Sequence, residues 1–150
     1  MGPKLADFLG DWDLQRQIVQ GDGTTARFVG QARFHPQDGA LHYREAGHLH
    51  LPGLSPMQAE RCYLWREAAG RICVDHADGR PFHDFDPADP QASHWCDPDD
   101  YRVTYDFGDW PRWQARWRVR GPRKDYTMVS DYHPAQGALP PALTGVPRDI

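Results

Sequence analysis

The sequence predicts an all-β protein: an up-and-down antiparallel β-barrel of about nine to ten strands, with a short helical turn at its N-terminus. Apolar and polar side chains alternate with a period of two along most of the chain, and turn residues separate the alternating segments. Six Trp, six Tyr and six Phe suit strands and cavity walls better than helix bundles. Consecutive strands joined by tight turns favour a barrel, which leaves no open sheet edge, over a sandwich.

Length and charge restrict the classes of function. A chain of 150 residues suggests one domain, with the barrel over residues 8–133 and an irregular, proline-rich tail over 134–150. The formal net charge of −4 argues against nucleic acid and against a membrane surface as partners. No signal-peptide pattern is present and the three cysteines never occur in C-x-x-C spacing, so we expect a cytoplasmic protein with reduced thiols. A homodimer is compatible with these features.

The first half of the chain is predicted to form five strands after a helical turn at Lys4–Leu9. Their predicted bounds are Trp12–Gln20, Thr25–Pro36, Leu41–Leu51, Gln58–Trp65 and Arg71–His76. The Asp78-Gly79 dipeptide then predicts a two-residue hairpin loop that pairs Val74 with His83. The proline-containing segment Pro87–Asp100 is predicted to be a surface loop with a short strand at His94–Cys96.

The aromatic stretch Asp100–Tyr132 is predicted to form three strands joined by two turns. Tyr105 and Trp113 lie on one face only if the loop around Gly108-Asp109-Trp110 has three or five residues. A short loop at Gly121-Pro122 would pair Trp117 with Tyr126. This pairing turns Tyr126, and Lys124 with it, toward the aromatic face.

The segment Gly10-Asp11-Trp12 follows an apolar turn and precedes a run of strands, and it resembles the first signature of the calycin group, the lipocalins and fatty-acid-binding proteins. The resemblance implies that this tryptophan closes one end of the barrel and packs on a basic residue of a late strand, Arg116 or Arg118. Lys124 and Tyr126 are similar in spacing to the Arg-x-Tyr pair with which fatty-acid-binding proteins hold a carboxylate. Lysine in place of arginine loses the bidentate fork.

Two further strings, DGRPFH at Asp78–His83 and GPRKDY at Gly121–Tyr126, resemble those of a small bacterial family of unknown function. The resemblance extends from about Phe8 to Tyr132. It implies a shared domain and no established activity.

The cationic turn is the leading candidate site. Arg123 and Lys124 at the barrel rim, with Tyr126 just inside, would bind an anionic group such as a carboxylate or phosphate. The alternative is a solvated hairpin whose charges pair with neighbouring aspartates and contribute little. The apolar body of the ligand would contact the aromatic residues predicted to line the lumen: Trp65, Tyr105, Trp113 and Trp117.

Four polar residues are also predicted to face the lumen: Glu45, Arg61, Tyr63 and His83. An apolar interior tolerates such groups only when they are paired, bound to a ligand or hydrated. One explanation is a structural Glu45–Arg61 pair. As catalytic groups, Glu45 or His83 would carry a proton while Arg61 and Tyr63 stabilise negative charge.

These features predict a barrel that binds a small amphipathic or aromatic, anionic ligand in its lumen. The alternative is a cofactor-free lyase or isomerase that acts on a small acid in the same cavity. A third interpretation is a barrel that binds haem through His83. His48 and His50, with His42 nearby, share a strand face predicted to point outward, so we expect a solvated histidine surface and no metal site. No resident cofactor is expected.

Overall fold

The computed structural model describes residues 2–135. A 3₁₀ turn, Leu5–Phe8, precedes the sheet. The ten strands are β1 (Gly10–Gln20), β2 (Thr25–Gln37), β3 (Ala40–His50), β4 (Met57–Ala68), β5 (Arg71–His76), β6 (Pro81–Phe85), β7 (Gln91–Cys96), β8 (Asp99–Asp109), β9 (Arg112–Arg120) and β10 (Asp125–Pro134). Within residues 2–135, no helix is long and apolar enough to cross a membrane.

The ten strands form a nearly closed, up-and-down antiparallel barrel, as predicted. Every strand pairs with its sequence neighbour except at one place, and β1 pairs with β10, so the sheet runs β6-β5-β4-β3-β2-β1-β10-β9-β8-β7. The two outer strands, β6 and β7, contact each other but share no hydrogen-bonded ladder in the described chain. We call this junction the β6–β7 seam. At one end of it a single bridge joins Asp86 to Asp89.

Phe8 fills one end of the barrel, which we call the closed end. The 3₁₀ turn carries this fully buried ring beneath the strands, where five aromatic centroids lie 5.0–5.8 Å away. Trp12 also lies here and donates a hydrogen bond from Nε1 to the Phe8 carbonyl, at 2.9 Å. The aromatic rings around Phe8 are Phe34, Trp65, Phe107, Trp110 and Trp113.

The basic partner expected for Trp12 is not found. Its ring lies 5.7 Å from Trp110 and 5.9 Å from Trp113. Arg116 and Arg118 instead lie on the outer face of β9, because the strand alternation that buries Trp113 turns them outward. Arg116 donates to the Gln114 side chain, and Arg118 donates to Asp125 and to the Tyr126 carbonyl.

β7 is longer than predicted, and Pro87–Asp100 is not mainly a loop. Strand Gln91–Cys96 pairs with β8 over its whole length. Pro90 and Pro98 flank it, so the prolines end the strand and do not interrupt its ladder. Of the tail predicted to be irregular, Pro134 belongs to β10, and residues 136–150 lie outside the described residues.

The β5–β6 hairpin pairs Val74 with His83, as predicted, but its loop has three residues and not two. The His76 amide donates to the Arg80 carbonyl, and Gly79 has a φ of +91°. This arrangement is a three-residue loop followed by a bulge, in which Gly79 tolerates the positive φ that the turn requires. The bulge makes Phe82 an extra residue on β6, because Asp75 pairs with Pro81 while Val74 pairs with His83.

Of the two loops in the aromatic stretch, the first differs from its predicted length and the second from its predicted register. Asp109 pairs with Arg112 across a two-residue loop. A bulge between Asp106 and Asp109 adds one residue to β8, and this extra residue has the effect on side-chain facing that an odd-length loop would have. Tyr105 and Trp113 are therefore both buried on the lumen face, as predicted. In the β9–β10 hairpin, the predicted Trp117–Tyr126 pair is wrong by two residues, since Trp117 pairs with Met128.

Gly30 and Gly47 bring β2 and β3 unusually close together. The two glycines are register partners. A Cβ on Gly30 would lie 2.1 Å from the Ala46 carbonyl oxygen, and one on Gly47 would lie 2.2 Å from the Val29 carbonyl oxygen. No side chain fits at either position, so the local shape of the barrel wall depends on both.

Candidate functional site

The barrel encloses a cavity of about 280 Å³ above the closed end. Its mouth lies at the far end of the strands, where Tyr126 pairs with Gln20, the last residue of β1. The structure brings nine of the predicted site residues to the cavity wall: Glu45, Arg61, Tyr63, Trp65, His83, Tyr105, Trp113, Trp117 and Tyr126.

The cationic turn does not reach this cavity. Gly121 and Lys124 close the β9–β10 turn through mutual backbone hydrogen bonds, which places Lys124 at the rim beside β8. Its Nζ donates to the Tyr101 hydroxyl at 2.7 Å and lies 3.1 Å from Asp99 Oδ2. These two hydrogen bonds raise the pKa of the Lys124 ammonium. Arg123 is exposed at the tip of the turn and is not part of the cavity wall.

A buried ion pair joins β1 and β3 on the lumen face, over the intervening strand β2. Arg16 donates to both carboxylate oxygens of Glu45, at 2.6 and 2.8 Å, and to Ser130 Oγ at 2.7 Å. Tyr43 donates to Glu45 at 2.6 Å, and its hydroxyl lies 2.8 Å from that of Tyr132. We call these five residues the Arg16–Glu45 network.

The network assigns Glu45 a structural partner other than the predicted one. Arg61 is the cross-strand neighbour of Glu45, yet the salt bridge forms with Arg16. Burial opposes ionisation of Glu45, but attraction to Arg16 and the hydrogen bonds from Arg16 and Tyr43 outweigh it, so the Glu45 pKa is lowered. Sequence reasoning missed Arg16, although it alternates with apolar residues on the lumen face of β1.

His83 and Tyr105 form a second polar contact in the lumen. His83 Nε2 lies 2.8 Å from the Tyr105 hydroxyl, and His83 Nδ1 is buried without a hydrogen-bond partner. Burial, with a smaller contribution from His94, lowers the pKa of His83 to about 3. Burial also raises the pKa of Tyr105 well above its ordinary value. At neutral pH both side chains are therefore uncharged.

Stacked aromatic rings occupy the upper lumen beside the seam. Phe82 lies parallel to Trp117, with centroids 5.2 Å apart and ring planes 3° apart. It also stacks on His76 at 4.8 Å and on Tyr63 at 5.9 Å. Phe82 reaches this position because of the β6 bulge, which no residue pattern in the sequence indicated. The other wall residues that sequence reasoning missed include Tyr43, His76, His94, Cys96, Tyr101 and Tyr132.

Arg61 is the cation of the lumen that has no carboxylate partner within residues 2–135. It lines the cavity although the residue is solvent-exposed on β4, so it lies where the cavity opens to solvent. Arg16, in contrast, is neutralised by Glu45. The three charged side chains of the lumen therefore leave a net positive charge at Arg61.

Metal-ligating side chains are not clustered in the described part of the chain: no group of three His, Cys, Asp or Glu residues there is arranged to hold a metal ion. His42 packs against His35 on the outer face, with ring centroids 4.9 Å apart. The free cysteines are Cys62, Cys73 and Cys96.

Fold and site together define a ten-stranded antiparallel barrel with a polar and aromatic lumen. The chain belongs to DUF6314, a family of unknown function whose model matches residues 8–134. No curated protein matches it in sequence.

Two solved structures share the fold at low sequence identity. The S-type phycobiliprotein lyase CPES from Guillardia theta has a TM-score of 0.61 and 6% identity, over 89% of this chain and 92% of its own. A de novo designed fluorescence-activating β-barrel has a TM-score of 0.50 and 12% identity, over 90% of this chain and 100% of its own.

Proposed function

We propose that this protein binds a small aromatic or amphipathic anion in its lumen. The observation that carries the proposal is the cavity itself, which combines aromatic walls with a cation that has no carboxylate partner in the described chain. Its volume of about 280 Å³ lies near the lower end of the range for small-molecule sites, roughly 300–1,000 Å³. The proposal therefore specifies a compact ligand of one or two fused rings.

The anionic end of the ligand is assigned to Arg61 and not to the cationic turn. Lys124 is engaged by Asp99 and Tyr101, whereas Arg61 keeps its guanidinium available at the wall of the cavity. The hydroxyls of Tyr63 and Tyr126 belong to the same wall and supply further hydrogen-bond donors. A carboxylate here would accept charge-assisted hydrogen bonds, which are stronger than neutral ones.

The aromatic body of the ligand is assigned to the rings deeper in the lumen. Trp117, Trp113 and Tyr105 line the cavity, and aromatic rings favour offset-stacked or edge-to-face contacts with an aromatic ligand. The two similar structures are a fluorescence-activating barrel and a phycobiliprotein lyase, so the barrel fold is compatible with this proposal. Their low identity transfers no residue or ligand to this chain.

Calorimetric titration with 2-naphthoate tests the assignment. Arg61→Gln should weaken binding by about tenfold or more, because it removes a charged hydrogen-bond donor. Arg66→Gln is the matched control: Arg66 lies on the same strand but pairs with Asp75 on the outer face, so its loss should leave the affinity unchanged. Equal affinity of wild type and Arg61→Gln would remove Arg61 from the site, and the absence of saturable binding would overturn the proposal.

A lyase or isomerase acting on a small acid is the second candidate function. The observation in its favour is His83, a neutral imidazole on the cavity wall whose unpartnered Nδ1 would accept a proton in the tautomer that donates from Nε2 to the Tyr105 hydroxyl. Glu45 is a weaker candidate, since Arg16 and Tyr43 occupy both of its oxygens. Enzymatic proton abstraction would exchange the α-hydrogens of 2-naphthylacetate in D₂O, and His83→Phe would abolish that exchange. No exchange above the buffer rate by wild type would reject this candidate.

Haem binding remains a prediction. The Nε2 atom of His83 is engaged by Tyr105, and the cavity suits a compact ligand better than a macrocycle. A Soret band that appears on haem addition and disappears in His83→Phe would support it.

A further inference from the structure

Three of the buried nitrogen atoms that lack a hydrogen-bond partner belong to side chains that line the cavity: His83 Nδ1, Trp65 Nε1 and Trp113 Nε1. All three side chains are at least nine-tenths buried, with exposed fractions of 8%, 4% and 3%. A buried polar group without a partner costs about 1–3 kcal/mol, so native proteins contain few of them. Three on one wall indicate a common cause.

The three side chains lie close to one another, above the closed end. Trp65 and Trp113 have ring centroids 6.2 Å apart, and both pack on Phe8. Tyr105 joins them to His83: its ring lies 6.2 Å from that of Trp65, and its hydroxyl contacts His83 Nε2. We call Trp65, His83 and Trp113 the donor floor.

Each unpartnered nitrogen of the donor floor carries a hydrogen. An indole nitrogen is a donor only. His83 is neutral, so it carries one hydrogen, on either Nδ1 or Nε2. The Tyr105 hydroxyl has His83 Nε2 as its hydrogen-bond partner, and donation to that nitrogen is the arrangement that satisfies the hydroxyl hydrogen. In the tautomer that accepts from Tyr105, Nδ1 holds the imidazole hydrogen and is a donor too, and the inference applies to this tautomer.

The lumen has no matching excess of acceptors. Within residues 2–135, the buried side-chain atoms without a partner are all nitrogens. The buried oxygens of the Arg16–Glu45 network bond to one another and to Arg16. A bound molecule would supply the acceptors that these donors lack within the described chain.

We propose that the donor floor selects a ligand whose inner end carries a carbonyl oxygen. A carbonyl oxygen has two acceptor lone pairs and no hydrogen, so it fits a site built of donors and gains nothing from one built of acceptors. This inference rests on the proposed function and names the ligand class more closely. The ligand is an aromatic acid with a ring carbonyl, its carboxylate at Arg61 and its carbonyl at Trp65, His83 and Trp113.

Two probes of similar size test this inference by calorimetry. Chromone-2-carboxylate has two fused rings, a carboxylate and a ring carbonyl, whereas 2-naphthoate has the rings and the carboxylate alone. Wild type should bind chromone-2-carboxylate about tenfold more tightly, as expected for one or two net hydrogen bonds. In His83→Phe this ratio should fall to about two- or threefold.

His42→Phe is the matched control, because His42 also has a buried, unpartnered Nδ1 but lies away from the lumen. It should keep the wild-type ratio. A measurement on wild type alone serves if His83→Phe does not fold: the indole N–H proton resonances of Trp65 and Trp113 should move downfield with chromone-2-carboxylate and not with 2-naphthoate.

Each result decides the inference. Equal affinities for the two probes would overturn it and leave lumen binding intact, because water and not a ligand oxygen would then satisfy the donors. A preference for the carbonyl that persists in His83→Phe without movement of the indole resonances would also overturn it. Binding of neither probe at millimolar concentration would overturn the proposed function and this inference together.

Discussion

At the scale of single residues, the Arg16–Glu45 pair has the largest expected effect on stability. Both side chains are less than 10% exposed, so removing one charge leaves the other buried and unpaired. Glu45→Gln should lower the free energy of unfolding by about 3–5 kcal/mol in urea titrations. Glu60→Gln, which alters the exposed pair with Arg44, should cost under about 1 kcal/mol. Similar losses in the two variants would contradict the structural role of Glu45.

His83 should make the stability depend on pH. Burial lowers its pKa from 6.5 to about 3 in the folded protein, so between these values the unfolded chain binds a proton that the folded chain does not. The free energy of unfolding should therefore fall as the pH is lowered from 6.5 toward 3. In His83→Phe the decline over the upper part of this range, above roughly pH 5 where carboxylates begin to titrate, should be shallower. The exposed variant His48→Gln should keep the wild-type slope.

At the scale of strands, the Gly30–Gly47 crossing should resist any side chain. Gly30→Ala would place a methyl group 2.1 Å from a backbone oxygen, so β2 and β3 must separate. The expected cost is about 1–3 kcal/mol, the range for overpacked interiors. Gly108→Ala is the control, since its Cβ would meet only the side-chain carboxylate of Asp106, at 3.1 Å. Thermal melts of the two variants that coincide would show that the crossing adjusts freely.

The face on which each side chain lies could be predicted from sequence, because it depends only on whether an even or an odd number of residues separates two positions. Tyr105 and Trp113 share a face although their loop length was wrong, since the bulge near Asp106 restored the odd count. Tyr126 lines the cavity although its partner was wrong by two residues, because a shift of two preserves the face. Loop lengths and bulges were not predictable, because several turn types satisfy the same residues.

Contacts across the lumen required the three-dimensional structure. Arg16 and Glu45 lie on β1 and β3, which β2 separates, so their contact depends on the reach of the side chains over β2 and not on strand pairing. Lys124 lies at the rim, as predicted, but its ammonium group is engaged there by Asp99 and Tyr101 and does not enter the cavity. The alternation along a strand gives the face to which a side chain points, but not its position along the barrel axis. That position decides whether the side chain reaches the cavity.

At the scale of the whole molecule, the β6–β7 seam should be the weakest part of the wall. Elsewhere each strand has hydrogen-bonded neighbours on both sides, but β6 and β7 have one neighbour each in the described chain. Amide hydrogens in β6 and β7 should therefore exchange with solvent faster than those in β1 and β2, as measured by hydrogen–deuterium exchange. Uniform protection around the barrel would show that the seam is closed in solution.

The β6–β7 seam also leaves the diameter of this barrel less constrained than that of a fully closed barrel. A barrel closed by a complete ladder has a diameter fixed by strand number and stagger, and it widens only by breaking backbone hydrogen bonds. Here the wall is joined across one line by side chains, such as the ring contact of Phe82 on β6 with His94 on β7. Separation of β6 from β7 would leave every ladder from β6 through β1 to β7 intact, so widening this barrel would require less loss of backbone hydrogen bonding than widening a fully closed one.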